Sequence, residues 1–553
     1  MTDTPLGAAE PLRVAQPLRV VGEVPLPDGL LDAFLAYDRA LLTNDVESLD
    51  RLFDRSAHTL RAAGGRVLAG WDAIAGFRAG RAGTPTRVVT GLHVRRAGEA
   101  VLLQAETTDP AGRGHGVQTQ LWGRVDGAWR VLAAHVTAPQ PGSAPFDRRI
   151  WRCVGDPLVR GAADGPLSGV GVAVKDLFAV RGFPIGAGVP AWLAEAAEEP
   201  RHAAAVSALL DAGADVVGIA RTDQFAFSLA GQNAAYGTPP NPIRPDRIPG
   251  GSTSGPTTAV ALGQADLALG TDTAGSTRIP ASYQALWGIR TSHGLVDRTG
   301  LVPLAGSFDT VGLLAREPGL VVRALETLVP PASRRALTVR RVLVVDELDA
   351  LAEDWLADRA LRAAERLATA VGGETTHLTI ASDRIERWFR AFRTVQAAEA
   401  WQGHGRWISD HPGSLGEDVE GRFRAGAALT EDEVAAARDA VAEEGAEIRA
   451  LVEDALIVVP TVPSLPPALD ADPTEIERHR GATLRLNCLA GLGGLPSVSA
   501  PVVDRRAVVV GAEEPGNVCV LARPGSDVAL AALCGEVLGR TSGRPVDVAE
   551  AAP

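Results

Sequence analysis

The chain has 553 residues, a formal net charge of −13 and 46% hydrophobic residues. That length and apolar content suffice for two or more domains with sizeable cores. The acidic balance argues against a nucleic-acid partner, which needs clustered Lys and Arg, and against an anionic membrane surface. Four cysteines (Cys153, Cys488, Cys519, Cys534) show no C-x-x-C spacing. Neither a disulfide framework nor structural zinc is expected, and a cytoplasmic setting fits. No basic-then-apolar leader and no uncharged apolar run of about 18 residues is read from the sequence, so no membrane span is expected. His202, His404, His411 and His479 are dispersed without ligand spacing, and no metal or other cofactor is expected.

Residues 1–25 hold a near-duplicate, Pro11-Leu-Arg-Val and Pro17-Leu-Arg-Val, and read as a flexible tail or a short docking strand. From 26 to 138 the pattern is α+β. Apolar residues at Leu31, Phe34, Leu35, Leu41 and Leu42 predict a helix over Gly29–Thr43, and Val46–Phe53 and Trp71–Arg81 predict two more. Leu60–Val67 reads as a strand pair around Gly64-Gly65. Thr86–Arg95, Ala100–Thr108, Gly116–Val125 and Trp129–Thr137 read as a meander, with a tight turn at Asp126-Gly127. A curved sheet wrapped on helices would make a cone with an internal pocket. Arg61, His115, Gln118, Gln120 and His135 are candidates to line it, with plain strand-edge roles as the alternative.

Residues 139–147 form a Pro-rich linker. From 148 to 553, apolar strands alternate with Ala-rich helices, which predicts a large α/β domain around a mixed sheet. Strands are expected at Val170–Val174, Asp215–Ala220, Leu267–Leu269, Val339–Val345, Ala455–Pro460, Val508–Val510 and Val518–Leu521. Helices are expected at Arg201–Ala212, Ser254–Leu262, Leu351–Ala370, Arg485–Leu492 and Val528–Leu538. Residues 387–441, rich in Trp and Phe, read as a helical cover over the site.

The chemistry centres on Pro249–Pro280. This stretch carries Ser252 behind Gly250-Gly251 and Ser276 in Gly270-Thr-Asp-Thr-Ala-Gly-Ser. A serine nucleophile needs a base, and Lys175, at the end of an apolar run, can serve if held away from water. Each signal alone has a plain alternative: an exposed lysine, an ordinary Gly-rich loop. The loop lacks the phosphate-cradling Gly-x-x-x-x-Gly-Lys-[Ser/Thr] pattern and the Gly-x-Ser-x-Gly elbow. Successive N–H groups of Thr273, Ala274, Gly275 and Ser276 are candidates for an oxyanion-stabilising nest. A Ser-His pairing through His293 is the weaker choice, because the lysine already supplies a base.

Two resemblances follow from these residues. The element order of 26–138, with Ala40-Leu-Leu-Thr-Asn-Asp, Gln118-Thr-Gln-Leu-Trp122 and Gly127-Ala-Trp-Arg-Val-Leu-Ala-Ala-His135, resembles the AtzH-like proteins of the cone-shaped SnoaL-like (nuclear-transport-factor-2-like) superfamily. That resemblance implies a homodimer or higher homo-oligomer. Lys175, Gly-Gly-Ser252 and Gly-Thr-Asp-Thr-Ala-Gly-Ser276-Thr-Arg-Ile-Pro, with their spacing, resemble the amidase signature family over nearly all of 150–540. It implies a Ser–cis-Ser–Lys triad: Ser276 as nucleophile, Ser252 after a cis peptide as the middle serine, and Lys175 as base. Thr273–Ser276 would be the oxyanion hole, and Asp272 and Arg278 would brace it. Thr253, Pro256, Ala274 and Arg221 depart from common family residues, but none removes a triad atom.

Tyr236-Gly-Thr-Pro-Pro-Asn-Pro and Ser307-Phe-Asp-Thr-Val-Gly resemble the indole-3-acetamide hydrolase-like subgroup, which implies a primary aryl-acetic amide. The AtzH-like domain implies a ureido, biuret or carbamate substrate as the alternative. Gln224, Phe225, Phe227, Gln232, Tyr283, Trp401 and Trp407 are candidates for the substrate wall. A non-enzymatic scaffold and an amidotransferase subunit are the competing functions. The intact Lys175, Ser252 and Ser276 argue against the first, and the acidic charge against the second.

Overall fold

The computed structural model describes residues 19–22, 26–43, 45–63, 66–79, 88–108, 114–136, 140–141, 147–509 and 513–539. The chain divides into two compact units, with the boundary between Ala144 and Pro145.

In the first unit, helices Leu30–Thr43, Val46–Leu52 and Trp71–Ala79 pack on one face of an eight-stranded sheet. Alternation sets which side chains face them. Val101, Leu103 and Ala105 are buried against Phe34, Tyr37 and Phe53. Asp126 (φ 52°) and Gly127 (φ 78°) make the hairpin turn the sequence signalled. Two expectations need correction here. Arg19–Gly22 is not a flexible tail but the short docking strand of the alternative reading: it pairs in parallel with Val88–Ala97 as an edge strand. Within the linker, Gln140–Pro141 pairs with the strand Gly114–Val125. Arg61, Gln118 and Gln120 are buried on the helix-facing side, but His135 is exposed on the other side. Its register partner Ala62 sits next to inward-facing Arg61, so strand alternation turns His135 outward. The side chain of His115 lies outside the described residues.

The second unit is built on an eleven-stranded mixed sheet. Its strand order is Glu374–Leu378, Arg341–Val345, Ala455–Pro460, Asn517–Leu521, Ser497–Pro501, Trp287–Arg290, Val311–Ala315, Leu267–Thr271, Gly171–Lys175, Asp215–Ala220 and Trp151–Val159. Central strands such as Leu267–Thr271 and Val311–Ala315 are buried along their whole length, which is why they read as short apolar runs. Helices cover both faces and close two large apolar clusters. Pro256 falls in the first turn of the helix Ser254–Ala261, where a missing N–H costs nothing.

Arg505–Val509 is a helix, where a strand was expected over Val508–Val510. Three apolar residues are too few for their period to separate the two. The helix expected over Arg485–Leu492 begins twelve residues earlier, at Pro473, with Asp472 capping the N–H groups of Thr474 and Glu475. The helical cover comprises Ser382–Asp410, Glu417–Ala427 and Glu431–Leu451. The last starts with a capping box between Thr430 and Glu433.

Candidate active site

Three adjacent pieces of chain meet at one point. The strand Gly171–Lys175 pairs in parallel with Leu267–Thr271, which brings Lys175 beside the loop that follows Thr271. The loop before the helix Ser254–Ala261 crosses between them, and the Thr253 N–H donates to the Ser276 carbonyl at 3.2 Å. The Gly251–Ser252 peptide is cis. A side chain at Gly251 would place a Cβ 2.4 Å from Asp223 Oδ2, so only glycine fits.

Lys175 is fully buried, and its Nζ donates to Ser252 Oγ (2.8 Å), Thr271 Oγ1 (2.8 Å) and Thr253 Oγ1 (3.1 Å). All three partners are neutral hydroxyls. Burial therefore lowers its pKa to about 7, although the carboxylates of Asp223, Asp272 and Asp309 act in the opposite direction. A neutral amine is thus accessible near neutral pH.

Asp272 is buried and holds the serine loop together. Burial alone would raise its pKa, but Arg278 and Arg290 outweigh burial and keep it well below the usual carboxylate range. Arg278 Nη2 and Nε donate to its two oxygens at 2.9 and 3.0 Å, and Arg290 Nη1 approaches Oδ1 at 3.3 Å. The Gly275 N–H also donates to Asp272 Oδ1, at 2.8 Å. This corrects one expectation. Gly275 (φ 114°) turns its amide toward the carboxylate, so that N–H is spent and unavailable to an oxyanion. Among the described residues, no hydrogen bond engages the N–H groups of Thr273, Ala274 or Ser276.

Sequence reasoning missed several members of this network. Arg290 lies in the apolar strand Trp287–Arg290, where a lone arginine among buried residues was the available signal. Asp309 accepts from Thr273 Oγ1 at 2.6 Å and from the Leu304 and Ala305 N–H groups at 2.8 and 2.9 Å. Asp223 accepts from the Gly231 N–H and Ser254 Oγ, both at 3.0 Å. His293 Nε2 lies 2.9 Å from the Gly306 carbonyl, the bracing role expected for a loop histidine.

Ser276 lines a constriction of about 10 Å³ together with Phe227, Ser228, Leu229 and Arg480. A cavity of about 700 Å³ lies next to it and shares Ser228, Leu229 and Arg480. The large cavity does not itself include Ser276; it borders the constriction at those shared residues. Of the seven wall candidates, Gln232 and Tyr283 line the large cavity and Phe227 lines the constriction. The other four lie elsewhere. Phe225 stacks on His404 at 4.4 Å, and Trp407 stacks on His411 at 4.2 Å while donating to Glu195. Trp401 packs on the same aromatic cluster, and Gln224 accepts from the Gly416 N–H at 2.8 Å. These four anchor the helical cover, because their ring faces and amide are already satisfied by it.

Family models for Amidase and AtzH-like proteins match residues 156–341 and 23–141. Amidase 1 of Arabidopsis thaliana is 32% identical over 393 residues, spanning 65% of this chain and 90% of its own length. The chain belongs to the amidase family. It is a hydrolase of amide carbon–nitrogen bonds, carrying an AtzH-like domain ahead of the amidase fold. A solved amidase structure superposes with a TM-score of 0.60 at 27% identity, covering 71% of this chain and 92% of that one.

The expected cytoplasmic location does not stand. Outer envelope protein 64, chloroplastic, of Arabidopsis thaliana is 30% identical over 367 residues, 62% of each chain, so relatives at this distance include a protein named for an organelle envelope. Among the described residues, no helix is long and apolar enough to cross a membrane.

Proposed function

We propose that the protein hydrolyses a small-molecule primary amide through an acyl-enzyme on Ser276, with Ser252 and Lys175 as its proton relay. The observation that carries this is the 2.8 Å contact between a buried lysine and Ser252 beside the Ser276 loop. Neutral Lys175 takes a proton from Ser252 Oγ as Ser252 takes one from Ser276 Oγ. Ser276 Oγ then bonds to the amide carbon, and charge builds on the carbonyl oxygen. The unspent N–H groups of Thr273, Ala274 and Ser276 are its donors, each worth about 3–4 kcal/mol in comparable sites. The carbon–nitrogen bond breaks as the relay returns its proton to nitrogen, and ammonia leaves. Water then attacks the ester, the acid departs, and Ser276 regains its proton.

Asp272 and Arg278 hold the loop in place for this chemistry. The AtzH-like unit serves assembly of a homodimer. Leu60, Val67 and Val88 are exposed on the unit's outer side and support that assignment, which light scattering of the full chain checks.

The test is ammonia release over a panel of primary amides, anilides, carbamates and ureido acids, with wild type beside Ser276→Ala. Activity in wild type that falls by about 10⁴ or more in the variant is expected. Activity that survives the substitution removes Ser276 as nucleophile.

A further inference from the structure

We propose that Arg480 recognises a carboxylate on the substrate, so that the preferred amide carries an anionic group away from the scissile bond. This rests on the Ser276 hydrolase assignment above and names its substrate class: monoamides of short dicarboxylic acids and their ureido analogues.

Arg480 is carried by the helix Pro473–Gly493 and is 8% exposed. Arg480 lines both the 700 Å³ cavity and the constriction that holds Ser276. It thus stands where the tail of a bound amide would lie when the carbonyl reaches Ser276. Its Nη1 donates to Glu477 Oε1 at 3.1 Å; that carboxylate is 53% exposed and also lines the cavity. Its Nε is buried and has no hydrogen-bond partner. Leaving a charged donor dry and unpaired is unfavourable, and a guest oxygen would relieve it.

The cavity wall carries both signs: Glu417, Asp418 and Glu477 line it beside three arginines, with Asp418 paired to Arg422 and Glu477 to Arg480. Arg422 and Arg393 line the same cavity. Burial, then Arg422 and Arg393, pull the Arg480 pKa down to about 10, while Glu477 acts in the opposite direction. Arg422 is already committed to Asp418 (3.0 Å) and to the Phe227 carbonyl (2.9 Å). Arg480 is therefore the one of the three that combines burial with an unspent donor. A planar carboxylate matches the guanidinium edge with two parallel hydrogen bonds. An uncharged alkyl tail would leave that edge unpaired, which is the situation in which a polar site discriminates most strongly.

The experiment compares kcat/KM for chain-matched pairs: malonamate with propionamide, succinamate with butyramide, and glutaramate with valeramide. At least one acid is expected to exceed its neutral partner by about tenfold or more. In Arg480→Gln that ratio falls toward one, and Arg480→Lys, which keeps the charge, retains part of it. Calorimetry on Ser276→Ala, which needs no turnover, is expected to show binding of the favoured acid, and Ser276→Ala/Arg480→Gln to lose it.

Equal kcat/KM within all three pairs, or a ratio that survives Arg480→Gln, overturns the anion site while leaving the hydrolase intact. If no amide is cleaved, the hydrolase assignment fails, and acid binding to Ser276→Ala decides the anion site alone. If Arg480→Gln does not fold, the wild-type ratio and Arg480→Lys decide it.

Discussion

Arg278 and Arg480 are both more than nine-tenths buried, yet they are spent differently. Arg278 gives its donors to Asp272 at 2.9 and 3.0 Å and approaches the Asn487 carbonyl at 3.4 Å. Arg480 has one half-exposed carboxylate and a dry, unpaired Nε. The difference separates two kinds of region. Around Asp272 the carboxylate is closed on Arg278 and Arg290, with only Arg290 Nε among them left buried without a partner, so the loop bearing Ser276 is fixed before substrate arrives. At Arg480 the pairing is incomplete beside the cavity, which suits a site completed by a guest. A buried charge with all its partners fixes local structure; one without them discriminates among ligands.

The largest effect that breaks the closed side is Lys175→Ala, expected to lower kcat/KM by about 10²–10⁴. Its pH profile is more diagnostic. Lys175 acts only when neutral, and its pKa is about 7, so wild-type kcat/KM rises with pH through that value and then levels. The rising limb should vanish from the residual activity of Lys175→Ala.

Next comes Asp272→Asn, which leaves Arg278 and Arg290 buried against a neutral group. Urea unfolding should show a loss of about 3–5 kcal/mol. The sign with pH follows from its depressed pKa. Its contribution is complete above the unfolded carboxylate value of about 3.9 and is lost only as pH falls toward the lower folded value. Arg480→Gln sharpens the contrast from the other side: removing a half-paired arginine should cost only about 1 kcal/mol in the same assay. Equal losses for the two variants would erase the distinction drawn here.

Much of the amidase fold was legible because its signals are local. Lys175 ends a buried strand, and the Gly-rich approach to Ser252 and the Gly270–Ser276 loop need particular backbone conformations that leave a mark on sequence. Family membership and the mixed sheet followed from those marks. What was not legible depends on distant packing. Nothing in Glu475-Ile-Glu-Arg-His-Arg480 distinguishes Arg480 from a surface arginine; only the helical cover and the cavity make it buried. Phe225, Trp401 and Trp407 are attractive wall residues in sequence, but Phe225 stacks on His404, Trp407 stacks on His411 and Trp401 packs on the same cluster, so they tie the cover down instead. Gly275 fits an oxyanion nest by position, and only the placement of Asp272 shows that its N–H is taken. Val508–Val510 reads as a strand although Arg505–Val509 is a helix, because three apolar residues carry no period.

The most direct measurement is covalent labelling with a fluorophosphonate, read by intact mass and peptide mapping on wild type, Ser276→Ala and Lys175→Ala. One adduct on wild type, mapped to Ser276, absent from Ser276→Ala and much slower in Lys175→Ala, is the expected result. An adduct that maps to another residue, or forms equally fast without Lys175, would contradict Ser276 as the nucleophile activated through the buried lysine.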